Sequence, residues 1–299
     1  MNYIPYHDFL YHCESRKLSP KTIKSYRNMA LAFLKYCEQV LGIDDIEMIT
    51  KNDIQSYLRF KNNEGLKEKY INSILRVVRA FFLFLEEEEY SNKNSVLKVK
   101  FICEPQKLIE IYTDNEVLQL VNAFDVSDYL SARNKLIISL QIDTGIRCTE
   151  TILIKHSDLL ENRILINGKG NKQRLVPISP TIHKLLKCYI KLKRNYFFET
   201  EISDSLFLSR TGRMLTVEAT EWIYRKARER CNINFKVRVS PHTSRHYFAC
   251  KSLTVNDLYT VSKLLGHSNV SITQVYLASL TNEKLIERGR ITSPLTILK

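Results

Sequence analysis

Through the first ninety residues, apolar positions return every three or four places with polar residues between them. In KTIKSYRNMALAFLKYCEQ the apolar set is Ile23, Tyr26, Met29, Ala30, Phe33, Leu34 and Cys37, one stripe of a helix. Ser19-Pro20 just ahead supplies a cap and a first-turn proline, so a helix opens there. From about Leu66, INSILRVVRAFFLFLEEEE repeats the period with Ile71, Ile74, Leu75, Val78, Phe81, Phe82 and Leu85 facing inward. Thr50 can cap KNDIQSYLRF, and a weaker helix covers Tyr6 to Cys13. Glu86 to Glu89 reads as a solvated helix end. The period then lapses: SNKNSVLKVKFICEPQK has no helical spacing and carries Asn, Ser, Lys and Pro, which predicts an extended linker. The chain accordingly divides into a helical domain over 1–95, a linker over 96–108 and a second domain over 109–299.

The second domain is mixed. Thr113-Asp-Asn-Glu116 matches a capping box, and LSARNKLIISLQI is an apolar helix that stops at Thr144-Gly145. RILING and QRLVPIS read as short strands around the turn GKGNK, and SLFLS is a further apolar patch. VEATEWIYRKARERC reads as a helix with Trp222 and Ile223 on one side and Arg225, Lys226, Arg228 and Arg230 around the other. Two more helices hold HTSRHYFACKSL and LYTVSKLL. The expected fold class is mainly α with a small β-sheet: a helical domain followed by an α+β domain.

Charge sharpens this picture. The 45 Lys and Arg against 32 Asp and Glu give a formal net charge of +13. Residues 1–100 carry only +3 of it, which leaves +10 for the remainder. Such an excess favours a polyanion, nucleic acid first and an anionic membrane second, held mainly by the second domain. No apolar run reaches the roughly 20 residues that span a bilayer, and the N-terminus is not a signal peptide. The seven cysteines are scattered and never C-x-x-C, which points to a reducing cytoplasm. His242 and His246 have H-x3-H spacing without a cysteine pair, so no zinc site is expected.

Four stretches of the second domain carry residues able to manage a phosphate. DTGIRCTET holds Arg147 and Glu150, and GKGNKQRLVPIS holds Lys169, Lys172 and Arg174. PHTSRH places His242 and Arg245 three apart on one helix face, with His246 beside them. LLGHSNVSITQVY supplies His267 and Tyr276. Each piece alone has an ordinary explanation as a surface charge or a packed aromatic. In this order and spacing they resemble the boxes of the tyrosine recombinases, the phage-integrase and Xer-type family. TGIRCTE resembles T-G-[LI]-R-x-x-E, GKGNKQRLVPI the β-hairpin lysine box, and HTSRH the box H-x-[LA]-R-H. LLGHSNVSITQVY is similar to L-L-G-H-x-x-[IV]-x-x-T-x-x-Y, and SPKTIKSYRNMALAFLKYC is similar to the family's core-binding domain. Ser244 and Ile272 depart from it, standing where an apolar residue and a threonine are usual.

The resemblance implies a site-specific recombinase that cleaves and rejoins DNA through a 3′-phosphotyrosine at Tyr276. Arg147 and Arg245 would grip the scissile phosphate, while His242 and His267 would hydrogen-bond it and help move the phenol proton. Lys169 would protonate the departing 5′-oxygen; it is preferred to Lys172 by the family's GKG pattern, and either could reach a phosphate. Glu150 would orient an arginine, and His246 would pack behind the site. No cofactor or metal is implied. Lys172, Arg174, Arg225, Lys226 and Arg228 are candidates for DNA contact. The implied partners are duplex DNA carrying an inverted-repeat site and, on synapsed DNA, a homo-tetramer or a tetramer shared with a related recombinase, with no membrane. The implied arrangement is a C-shaped clamp, with the segment after Tyr276 docking on a neighbouring protomer or in cis. The implied place is the nucleoid of a prokaryotic cell or a mobile element. A type IB topoisomerase, or a DNA-binding protein without strand exchange, would share much of this pattern.

Overall fold

The computed structural model describes residues 1–91, 98–104, 109–168, 172–277 and 290. The chain separates into two compact units, Met1–Gln106 and Lys107–Lys299.

Among its described residues the first unit has four α-helices, α1 (Ile4–Ser15), α2 (Pro20–Gln39), α3 (Lys51–Asn63) and α4 (Glu68–Glu87), with a short 3-10 turn at Ile46–Met48. Their starts follow local chemistry. The Ser19 hydroxyl accepts from the Thr22 backbone N–H, with Pro20 in the first turn of α2. Asp53 accepts from the Thr50 backbone at 2.8 Å and so closes the head of α3. Every position expected to face inward on α4 is buried, from Ile71 to Leu85, and α4 packs against the other three helices. Val77 and Phe84 are buried as well, so the apolar stripe is wider than the periodicity alone indicated. Residues 98–104 lie against α4. The Asn72 side chain donates to the Ile102 carbonyl and accepts from its N–H, both at 2.9 Å, and the Arg79 guanidinium stacks 4.3 Å from the Phe101 ring centroid. That part of the expected linker is thus fastened to the first unit, with Val99 buried.

The second unit is built around α6 (Tyr129–Thr144), which packs against α5 (Asp114–Asn122), α7 (Cys148–Leu153), α8 (Pro180–Tyr196), α9 (Val217–Arg230) and α10 (Pro241–Ser252). Leu136, Ile137, Ile138 and Leu140 are all buried, as are the polar Arg133, Asn134, Ser139 and Gln141 between and beside them; a helix buried on nearly every side belongs at the centre of a domain. Strands β1 (Arg163–Asn167) and β2 (Gln173–Pro177) form one antiparallel pair, Arg163 opposite Pro177 and Asn167 opposite Gln173. Helices α11 (Leu258–Leu265) and α12 (Ser271–Gln274) follow. The architecture is mainly helical with one small sheet, as the sequence pattern indicated.

One detail differs from expectation. Trp222 and Ile223 do not share a face of α9: Ile223 is buried at 1% exposure, whereas Trp222 is 44% exposed. Consecutive helical residues lie about 100° apart, and Tyr224 and Ala227 complete the buried face in place of the indole. Lys193 on α8, about which the sequence pattern gave no expectation, is buried. Its ammonium donates to the Ser205 and Leu206 carbonyls at 2.7 and 3.0 Å and meets His156 Nε2 at 2.9 Å. Burial draws its pKa down to about 8.

Candidate active site

The site forms where the C-terminus of α11 meets the start of α7. A helix leaves its last carbonyls without intrahelical donors, and its dipole favours cations there. Here three consecutive carbonyls take three arginines. Arg174 Nε donates to Leu264 O at 2.9 Å and Arg245 Nη2 to Leu265 O at 2.8 Å, while Arg147 Nη2 lies 3.4 Å from Gly266 O. Residues from β2, α10 and the α6–α7 turn therefore converge on one point.

Two glycines make that convergence possible. Gly145 ends α6 at φ +63°, and a Cβ there would lie 2.3 Å from Phe248 Cδ1. Gly266 ends α11 at φ +67°, and its Cβ would lie 2.7 Å from Arg174 Nη1. Both positions need the left-handed conformation and the missing side chain.

Glu150 balances the cations from below. Its carboxylate accepts from the Arg147 backbone at 2.9 Å, from Arg147 Nη1 at 2.8 Å, and from Arg174 through two bonds of 3.1 and 2.8 Å. Burial alone would raise its pKa; the bonds and charges of Arg174 and Arg147 outweigh that and hold it at about 2. Arg245 also donates to Gly145 O at 2.6 Å and is only 5% exposed. Burial, reinforced by Arg147, lowers its pKa to about 10, which leaves it charged. Arg147 keeps a side chain 40% exposed, so part of its guanidinium faces solvent.

His267 fills the space beside Arg245. Its Nε2 meets Arg245 Nη2 at 2.9 Å, and its Nδ1 meets the Thr273 hydroxyl at 2.7 Å. A guanidinium can only donate, so Nε2 is the acceptor and Nδ1 carries the hydrogen. Burial and the charges of Arg245 and Arg147 push the ring's pKa down to about 4, in keeping with that neutral form.

Tyr276 follows α12 and is 4% exposed, packed with Ala249, Cys250, Leu253, Val261 and Leu265. Its hydroxyl lies 3.0 Å from His246 Nδ1, and the rings of His246 and His242 meet edge to face at 4.0 Å between centroids. Burial raises the phenol pKa above its ordinary value, against a lowering pull from Arg245 and then Arg147. Burial, with His242 and Arg245, lowers His246 to about 4, so the ring is a neutral hydrogen-bond acceptor for the phenol.

The structure brings together Arg147, Glu150, Arg174, Arg245, His246, His267 and Tyr276. The histidine that meets the phenol is His246, which the sequence reading placed behind the site, while His242 is exposed next to it. Arg174, expected among DNA contacts, turns its guanidinium to Glu150 and the α11 carbonyl, with a side chain 13% exposed. Lys172, Arg225 and Arg228 are exposed, and Lys226 pairs with Glu229 at 2.6 Å. Lys169 and the tail from residue 278 lie outside the described residues, apart from Arg290. Ser244, one of the two departures from the family pattern, is fully buried, and its hydroxyl lies 2.9 Å from that of Tyr224. The other departure, Ile272, is 47% exposed.

Residues 110–283 match the model of the phage integrase family, and residues 7–89 match the N-terminal SAM-like domain of phage integrases. The chain belongs to the phage integrase family of tyrosine recombinases. Among its relatives is the tyrosine recombinase XerD of Staphylococcus haemolyticus, 32% identical over 262 residues, covering 87% of this chain and 88% of the relative. The tyrosine recombinase XerC of Bacillus pumilus is 31% identical over 267 residues, 87% of each. In fold the chain is similar to XerH recombinase bound to its difH substrate after cleavage, with TM-score 0.72, 23% identity and coverage of 92% and 81%. A λ integrase fragment bound to a core site gives TM-score 0.71, 17% identity and coverage of 92% and 94%.

As a tyrosine recombinase, the protein is an enzyme of site-specific recombination that cleaves and rejoins DNA strands. Its named relatives are bacterial, and no helix among the described residues is long and apolar enough to cross a membrane.

Proposed function

We propose that Tyr276 is the nucleophile of this recombinase, with Arg147 and Arg245 as the phosphate clamp and Lys169 as the acid. The supporting observation is the placement of the Tyr276 hydroxyl 3.0 Å from His246 Nδ1, in a pocket whose charge comes from Arg245 and Arg147. In the cleavage step Tyr276 Oη attacks phosphorus, its proton passes to His246 Nδ1, and the P–O5′ bond breaks. Lys169 gives its proton to the leaving O5′. The two guanidiniums offset charge on the non-bridging oxygens of the pentacoordinate transition state, and neutral His267 holds Arg245 in register. Rejoining runs the same path backwards, with a 5′-hydroxyl attacking the phosphotyrosine. The phosphodiester's energy stays in the covalent bond throughout.

The substrate is duplex DNA with an inverted-repeat site, and the working assembly is a homo-tetramer on two synapsed sites at the nucleoid. Supporting this are the +13 net charge, relatives named XerC and XerD, and folds like those of λ integrase tetramers on a Holliday junction. The exposed Arg225 and Arg228 of α9, with Lys172 near the hairpin turn, supply backbone contacts whose strength falls with salt.

The test is single-turnover cleavage of a nicked suicide duplex bearing the target site, from which the cleaved 5′ end diffuses away. Replacing Arg245 with Ala, or His246 with Ala, should slow adduct formation by about 10²-fold or more while DNA binding persists. Normal cleavage by His246→Ala would remove His246 from the proton path.

A further inference from the structure

We infer that Arg174 is a positioning residue of the cleavage reaction, preserving the positive charge of Arg147 by sharing Glu150 with it. The inference rests on the reading of Arg147 as a phosphate ligand.

All three nitrogens of the Arg174 guanidinium are engaged: Nε with Leu264 O, and Nη1 and Nη2 with the two oxygens of Glu150. The group lies flat against Gly266, where an added Cβ would come within 2.9 Å of its Cζ. Little of it faces solvent, so a phosphate would have to displace an ion pair to reach it. Arg147, by contrast, shows a 40% exposed side chain above the same carboxylate.

The charge count explains the arrangement. Glu150 Oε1 accepts from Arg147 Nη1 and Arg174 Nη1, and Oε2 accepts from the Arg147 backbone and Arg174 Nη2. One buried anion is thus divided between two cations, and the trio retains one positive charge on its exposed side. Without Arg174 the carboxylate would be left to Arg147 alone, and the pair would be neutral. Arg147 would be held in the right place with its charge already quenched, at the position where charge neutralisation is needed. Arg174 also holds the Leu264 carbonyl, one residue before the carbonyl that positions Arg245. A lysine keeps the charge but cannot form the fork, so it should restore only part of the function.

The experiment compares wild type, Arg174→Gln, Arg174→Lys and Arg147→Ala on three suicide substrates at saturating DNA. One has a normal scissile phosphate, one a neutral methylphosphonate, and one a sulfur in place of the leaving O5′. On the normal phosphate, Arg174→Gln should cleave about 10²-fold more slowly, with unchanged DNA affinity and with Arg174→Lys between it and wild type. On the methylphosphonate, which carries no charge to neutralise, the gap between Arg174→Gln and wild type should narrow by about tenfold, as should that of Arg147→Ala. The thiol leaving group, which needs no proton, should leave the gap as it was. Wild-type cleavage by Arg174→Gln, or a defect equally large on the methylphosphonate, would overturn the inference. Relief on the sulfur substrate would assign Arg174 to the Lys169 turn, and weakened DNA binding with normal cleavage at saturation would assign it to DNA contact; either contradicts the inference. If Arg174→Gln does not unfold cooperatively, Arg174→Lys carries the same comparison with a smaller gap. Failure of Arg147→Ala to slow cleavage would instead reject the underlying reading of the phosphate clamp.

Discussion

Replacing Glu150 with Gln keeps the side chain's size and removes its charge. Arg147 and Arg174 then lie beside each other and near Arg245, with no anion among them. The Glu150 carboxyl moves from an ordinary 4.5 to about 2 in the folded protein. A shift of roughly two and a half units corresponds to ~3 kcal/mol of stability at neutral pH, in line with the cost of breaking a buried ion pair. Because the folded value is depressed, this stabilisation is complete above pH 4.5 and is lost as pH falls towards 2. For a unit of this size, ~3 kcal/mol lowers the melting temperature by roughly 6–12 °C. Thermal unfolding of both proteins without DNA, followed by circular dichroism at pH 7 and again at pH 3.5, measures the effect. The difference should be full at pH 7 and smaller at pH 3.5. Equal melting temperatures at pH 7 would refute the view that Glu150 is the charge balance of the site.

Other consequences follow from single contacts. Gly145→Ala, whose Cβ would sit 2.3 Å from Phe248 Cδ1 at φ +63°, should lose about 2 kcal/mol or more by denaturant unfolding and cleave slowly; an unchanged midpoint would show that the α6 stop relaxes freely. Ser244→Ala should cost about 1–2 kcal/mol, since it takes the partner from the buried Tyr224 hydroxyl; Tyr224→Phe should cost less, since the Ser244 hydroxyl keeps the Ser240 carbonyl at 3.5 Å, and the double variant should cost less than the sum. Strict additivity in that cycle would mean the two hydroxyls do not couple. His246 and His267 both have folded pKa values near 4 against an ordinary 6.5. Their contribution is full above pH 6.5 and is lost as pH falls towards 4, with a slope of at most about 1.4 kcal/mol per unit for each, less for their partial exposure. Urea midpoints across that range should fall in wild type, and fall less in a variant carrying Phe at both positions.

Much of this molecule is legible in its sequence because the signals are local. Ser19-Pro20, the Thr113 box and the stripe on α4 each specify a helix through residues within a few turns. The charge-bearing candidates of the site were legible for another reason: taken together and in order, their stretches resemble the boxes of the tyrosine recombinases. What escaped was whatever depends on two distant segments meeting. No spacing rule shows that carbonyls 264, 265 and 266 would receive arginines from three different elements. Nothing local separates His246 from His242, since the choice depends on where Tyr276 returns, thirty residues later. Arg174 stood among the candidates for DNA contact as a basic residue of the hairpin; its burial follows from Glu150, 24 residues upstream. Trp222 was misplaced because a large aromatic is commonly an anchor, and here Tyr224 and Ile223 fill that role.

The most direct measurement of the central claim is the chemical identity of the protein–DNA bond. Wild type would be trapped on the suicide duplex, digested with protease and nuclease, and the modified peptide sequenced by mass spectrometry. A nucleotide joined through its 3′-phosphate to Tyr276, and absent from Tyr276→Phe, is the predicted result. A phosphate bond to any other residue, or an adduct that persists in Tyr276→Phe, would contradict it.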